Sequence, residues 1–257
     1  MNKKHDTVSD IFVKKMIDYM GEILTKKDIT EVWMRSGGSL TRINYAMNIL
    51  TGRSLIEKIS NNIYFISGAS ISFDIYGLYW KIVRKLIKLH TPSGGIIGGE
   101  KSMELHLQNF SIPDILIIYT RDTSLRIKLS DSREVHFRTL VSGEKTGKKS
   151  LWRLIVSNST LLRQPFELEF CSKELALMEA LSLRRHEVGI GDNNIHHFLK
   201  LFHSKIDREV LGNLARYRYI RPLNRLRVIS KNLGYTDVYN MILEVIRDEG
   251  GGCYINL

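Results

Sequence analysis

Thr41, Arg42, Asn44, Tyr45 and Asn48 stand close together in the chain and carry the groups that read base edges in a DNA major groove. Arginine donates bidentately to guanine O6 and N7, asparagine pairs with adenine N6 and N7, and threonine offers a methyl to thymine. Arg42 and Asn44 are therefore the leading base readers. Lys58, Asn61 and Asn62 would form a hairpin tip suited to phosphate contact. A second cationic feature lies in Arg216-Tyr217-Arg218-Tyr219-Ile220-Arg221, followed by Arg225, Arg227 and Lys231. Arginines interleaved with aromatics can stack on bases and neutralise phosphates. At helical spacing Arg218, Arg221 and Arg225, joined by Arg216, would make one basic ridge for DNA, RNA or an acidic protein. The plain alternative is a solvated face with tyrosines packed beneath it.

Residues capable of catalysis form weaker patterns. The run Gly94 to Ser102 approaches a phosphate-binding loop, but Glu100 precedes Lys101 and the reading places a helix, not a strand, before it. Gly143 to Ser150 is a second near miss, better read as a solvated loop. His196, His197 and His203 have no Cys, Asp or Glu at metal-site spacing, and His136 and His186 are isolated. Glu167 and Glu169 alternate onto one strand face as some nuclease carboxylates do, but lack a supporting Lys or Asp. Glu104 and His106 could line a pocket; packing of their helix against a sheet is the simpler role. Cys171 and Cys253 make neither a disulfide framework nor a metal site. No enzyme, cofactor or metal is expected.

The elements that would position the base readers follow from periodicity and caps. Apolar residues from Ile11 to Leu24 recur at helical spacing. Thr25 and Asp28 resemble a capping box, which starts a second helix at Lys26 with Ile29, Val32 and Trp33 inward, ending before Gly37-Gly38. Ser39 would N-cap a third helix in which Leu40, Ile43, Met47 and Leu50 dock and the readers face outward. Strands at Leu55 to Ile59 and Ile63 to Ile66, joined by Ser60-Asn61-Asn62, complete a winged helix-turn-helix over residues 1–68.

Residues 69–257 read as a larger α+β domain. Its sheet part, 69–171, begins with helices at Ile75 to His90 and Glu100 to Leu107. Extended segments follow at Ile115 to Thr120, Ser124 to Leu129, Glu134 to Thr139, Leu151 to Ser157 and Phe166 to Phe170, enough for a small mixed sheet. Its part 172–257 is helical, with segments from Ser172, at Asn194 to Phe202, Asp207 to Tyr217, Pro222 to Leu233 and Val238 to Asp248. Pro222 suits a first turn, and Gly234 the residue past a helix end. The fold class is thus α+β. A net charge of +11 over 257 residues favours a polyanionic partner. No apolar run approaches the roughly 20 residues that span a bilayer, and the polar start gives no sign of a signal peptide.

Gly98 to His106, Cys171 to Leu181 and Pro222 to Tyr235 together resemble segments of a known family, the AbiEi-type antitoxins of abortive-infection type IV toxin-antitoxin pairs. Gly98-Gly99-Glu100-Lys101-Ser102-Met103-Glu104-Leu105-His106 is similar to the family's glycine-to-histidine segment, although Lys101 and Met103 replace small residues and Leu107 replaces a glycine. Cys171 to Leu181 is similar to its "s.ErALLdaL" helix, with Cys171-Ser172 where proline is common. Pro222 to Tyr235 is like its "..rRLgyllekLG" helix in a looser form. The resemblance spans nearly the whole chain in order. It implies a cytoplasmic, nucleoid-associated bacterial repressor that binds double-stranded DNA at an operator, as inverted repeats, and autoregulates its operon. It also implies that the second domain neutralises a cognate nucleotidyltransferase-like toxin, directly or indirectly. The alternatives are a nucleic-acid-processing enzyme targeted by the winged helix, a metal-dependent nuclease or transferase, and a stand-alone DNA- or RNA-binding regulator without a toxin.

Overall fold

The winged helix is built on two capping boxes and one three-stranded sheet. The computed structural model describes residues 7–67, 75–129, 132–139, 151–162, 167–182, 192–217 and 219–249. Thr7 accepts from the Asp10 backbone N–H and opens α1 (Val8–Ile17). Thr25 does the same through Asp28 for α2 (Lys26–Arg35), and Asp28 Oδ2 returns a bond to the Thr25 N–H at 2.8 Å. Burial pushes the Asp28 carboxyl up, but the Thr25 N–H and Lys85, 3.1 Å away, outweigh it and hold the pKa below the usual range.

The sheet differs from the sequence expectation at one edge. The first helix stops at Ile17 rather than Leu24, because Gly21 adopts φ +83° and the chain then pairs as β1 (Ile23–Thr25). β1 lies antiparallel to β3 (Ile63–Ile66), which pairs on its other side with β2 (Ile56–Ser60), giving the order β1-β3-β2. Between β2 and β3, Asn62 takes φ 64°, and the register shifts between Lys58 and Ser60. Phe12, Met16, Ile29, Trp33, Leu50 and Ile66 fill the core beneath.

The chain divides into two units, residues 1–85 with 127–134, and residues 86–126 with 135–257. The division falls inside α4 (Ile75–His90), whose Lys85 bonds Asp28. The small, polar stretch Ser67 to Ser72 reads as a linker; of it only Ser67 is among the described residues.

A six-stranded mixed sheet follows: β4 (Gly95–Ile97), β5 (Ile115–Thr120), β6 (Leu125–Lys128), β7 (Glu134–Thr139), β8 (Thr160–Leu162) and β9 (Leu168–Phe170), in the order β6-β7-β5-β4-β9-β8. β4 runs parallel to β9 and antiparallel to β5. Leu151–Ser157, expected as a strand, is helix α6, with Trp152 and Ile155 buried one turn apart. α5 (Gly99–His106) and α7 (Lys173–Ser182) pack together, and α8 (Asp192–Phe202), α9 (Arg208–Arg216), α10 (Ile220–Asn232) and α11 (Thr236–Asp248) make the helical half. Asp207 caps α9. Gly234 (φ +79°) ends α10 with the Tyr235 N–H returning to Ser230 O at 2.9 Å. The Glu179 carboxylate accepts from the hydroxyls of Tyr119 and Tyr219, tying β5, α7 and α10 together.

His106 closes α5 against this core. Its Nε2 lies 2.9 Å from Cys171 O, its ring meets Phe170 at 4.6 Å, and burial lowers its pKa to about 4. The unfolded chain, with a histidine near 6.5, takes up the proton first, so this contribution to stability is lost as pH falls from about 6.5 towards 4. Glu100 acts in the opposite sense, because burial and then Glu104 raise it to about 7 and its ionisation disfavours the folded state. In a Glu100→Gln background, urea unfolding should show stability falling by up to about 3 kcal/mol between pH 7 and pH 4. Adding His106→Gln should flatten that slope; an unchanged slope would assign it to other groups.

Candidate nucleic-acid interface

The turn before the candidate recognition helix is fixed by one tryptophan. Trp33 Nε1 donates to Ser39 O at 2.8 Å, and its ring meets Phe12 edge-on at 5.1 Å. Gly37 takes φ +91°, and a Cβ on Gly38 would stand 2.0 Å from the Trp33 ring, so both glycines are needed. The turn continues as a single 3₁₀ turn, Leu40–Arg42, before α3 (Ile43–Gly52).

That 3₁₀ turn corrects two expectations. Ser39 forms no side-chain cap; its hydroxyl bonds to Thr41 Oγ1 at 2.7 Å. Leu40, placed in the docking stripe, is 63 % exposed, and Ala46 with Met47 and Leu50 supplies the buried face. A 3₁₀ turn advances about 120° per residue instead of 100°, which shifts the phase of everything before Ile43. The outward face comes together all the same. Ser39, Thr41, Arg42, Asn44, Tyr45 and Asn48 are all exposed, as are Lys58, Asn61 and Asn62 on the wing.

One residue of this surface escaped the sequence reading. Lys26, the first residue of α2, donates from its backbone N–H to Asn62 O in the wing turn (2.8 Å) and from Nζ to Asn44 Oδ1 (3.4 Å). It joins wing to helix face. Its position directly after the capping threonine was visible, but nothing local pointed to Asn44, eighteen residues on.

The second cationic feature does not assemble as one helix face. Arg216 ends α9, not α10, and its guanidinium grips both oxygens of Glu249 at 2.7 and 2.8 Å. Arg225 donates to Leu181 O, Arg221 is exposed on the first turn of α10, and Arg218 lies outside the described residues.

Residues considered for catalysis are engaged elsewhere. Helix α4 precedes the glycine run as expected, the short strand β4 falls inside it, and Lys101 Nζ turns to Glu104 Oε2 (2.6 Å), Asn109 O (3.0 Å) and Ser111 Oγ (3.1 Å) rather than to an anion at the start of α5. Glu167 precedes β9 at φ +48°, so only Glu169 sits in the strand, where it accepts from Ser159. His203 bonds Asp237 at 3.2 Å, while His196 and His197 are exposed. Among the described residues no three His, Cys, Asp or Glu side chains gather as metal ligands, and no helix is long and apolar enough to cross a membrane. Gly143 to Ser150, His186 and Cys253 lie outside the described residues; Cys171 is buried.

The chain is α+β, with an N-terminal winged helix-turn-helix and a helical C-terminal half. No family model and no curated protein matches it. Its fold is similar to that of a solved Mycobacterium tuberculosis protein, Rv2827c, at TM-score 0.65 and 14 % identity over 95 % of this chain and 83 % of that one.

Proposed function

We propose that the protein is a sequence-specific DNA-binding transcriptional repressor, the antitoxin of a type IV toxin-antitoxin pair. The observation that carries the DNA-binding half is the exposed face of α3 with the 3₁₀ turn before it, where Arg42, Asn44, Tyr45 and Asn48 stand clear of a helix docked through Ala46, Met47 and Leu50. Inserted in a major groove, that face brings two bidentate readers to base edges, while Lys58, Asn61 and Asn62 meet the phosphates alongside. The formal charge of +11 supplies attraction to the polyanion. The repressor acts in the bacterial cytoplasm on the nucleoid, at inverted repeats upstream of its own operon. The antitoxin half rests on the family resemblance of the Gly98–His106, Cys171–Leu181 and Pro222–Tyr235 segments. In it the second unit neutralises a nucleotidyltransferase-like toxin encoded by the neighbouring gene.

The test is binding of a labelled duplex from upstream of the gene. Arg42→Ala with Asn44→Ala should weaken it by about 2 kcal/mol or more, roughly 30-fold, with circular dichroism unchanged. Unaltered binding would remove α3 as the reader. Nuclease or nucleotidyltransferase activity with added Mg²⁺ would favour the enzyme reading instead. Co-expression with the neighbouring gene tests neutralisation: the chain should restore growth, and failure to do so would leave a regulator without a toxin.

A further inference from the structure

Lys26 is the point where α2, the wing and the recognition helix meet. Its backbone N–H is held by Asn62 O at 2.8 Å, its carbonyl accepts from Thr30 Oγ1 at 2.7 Å, and the capping box at Thr25 and Asp28 fixes the turn around it. The half-buried side chain then reaches Asn44 Oδ1 at 3.4 Å. Lysine has three donors and no acceptor, so this contact also fixes the orientation of the Asn44 amide. The oxygen turns to Lys26, leaving the NH₂ group as the edge available to a base.

We infer that Lys26 sets the base that Asn44 reads, converting it from an adenine reader to a guanine reader. The inference rests on the reading that α3 enters the major groove. An asparagine alone matches adenine, accepting from N6 and donating to N7. Paired with Lys26, the same asparagine presents an ammonium and an amide NH₂ side by side. Guanine answers with two acceptors, O6 and N7; adenine places its N6 amino group against a cation. Arg42, two residues earlier, is a donor of the same kind, so the two readers together favour adjacent guanines.

Selection of the full-length chain on a randomised duplex library tests this. The position read by Asn44 is the base pair at which Asn44→Ala loses discrimination. Wild type should prefer guanine there by about tenfold over adenine. Lys26→Met should bring that ratio to one or reverse it, and Lys26→Arg, which keeps the donors, should retain guanine. Adenine selected by wild type, or an unchanged ratio in Lys26→Met whatever its overall affinity, overturns the inference alone. Wild type enriching no sequence removes sequence-specific DNA binding, and the inference with it. Should Lys26→Met fail to fold, the wild-type and Lys26→Arg selections still decide.

Discussion

Replacing Gly38 by alanine should unfold the helix-turn-helix, at a cost of about 3 kcal/mol or more. The new Cβ would lie 2.0 to 2.4 Å from three atoms of the Trp33 indole. That ring is 2 % exposed and wedged against Phe12, so it cannot swing aside. Relief requires the turn to move, which breaks the Trp33 bond to Ser39 and releases the 3₁₀ turn that aims Thr41 and Arg42. Hydrogen exchange over residues 26–50 should rise, and duplex binding should fall with it. Gly52→Ala is the control, since nothing lies within 4 Å of a Cβ there and the backbone is helical. That substitution should be neutral or stabilising by up to about 1 kcal/mol. Equal behaviour of the two variants would show that Trp33 does not hold the turn.

The second large effect belongs to Lys101. Its side chain is 2 % exposed and its ammonium bonds Glu104, Asn109 O and Ser111, fastening the chain after α5 to the helix itself. Burial lowers the Lys101 pKa, and the Glu104 bond counteracts this. Lys101→Met keeps the length but strands the Glu104 carboxylate, at an expected cost of about 3 kcal/mol in urea unfolding at pH 7. Adding Glu104→Gln should recover a large part of it, because a neutral amide is far cheaper to leave there than a carboxylate. No recovery would assign the loss to the bonds that Lys101 makes to Asn109 O and Ser111 rather than to the ion pair. The glycine-rich stretch around it is thereby explained by packing. Gly98 presses on the Tyr119 ring and Gly99 adopts φ +62°, while the lysine that suggests a phosphate loop is itself buried and committed to an ion pair with the half-buried Glu104.

Much of the architecture was legible because its signals act over three or four residues. The Thr25–Asp28 box, the helix start at Asp207, the Gly234 ending and the whole of Ile75–His90 fall where the sequence puts them. The exposed set on α3 was legible for the same reason, as apolar and polar positions separate within two turns. Leu151–Ser157 failed because its β-branched and aromatic residues suit a strand or a buried helix equally, and only Trp152 and Ile155 meeting the core decides for helix. The continuation of the first helix to Leu24 failed similarly. Gly21 donates to Ile66 O, and β1 exists only because β3 offers it a partner some forty residues away.

By itself, then, the sequence determined the fold class, the Thr25–Asp28 capping box, the hairpin turn and the identity of the exposed polar residues on α3. Those depend on local backbone preference and on the period of burial, which neighbouring residues specify. Tertiary structure alone decided the strand order, the parallel pairing of β4 with β9, the capture of Arg216 by Glu249, and the contact that turns the Asn44 amide. Each of these needs a partner group brought from far along the chain, and no local pattern records which one arrives.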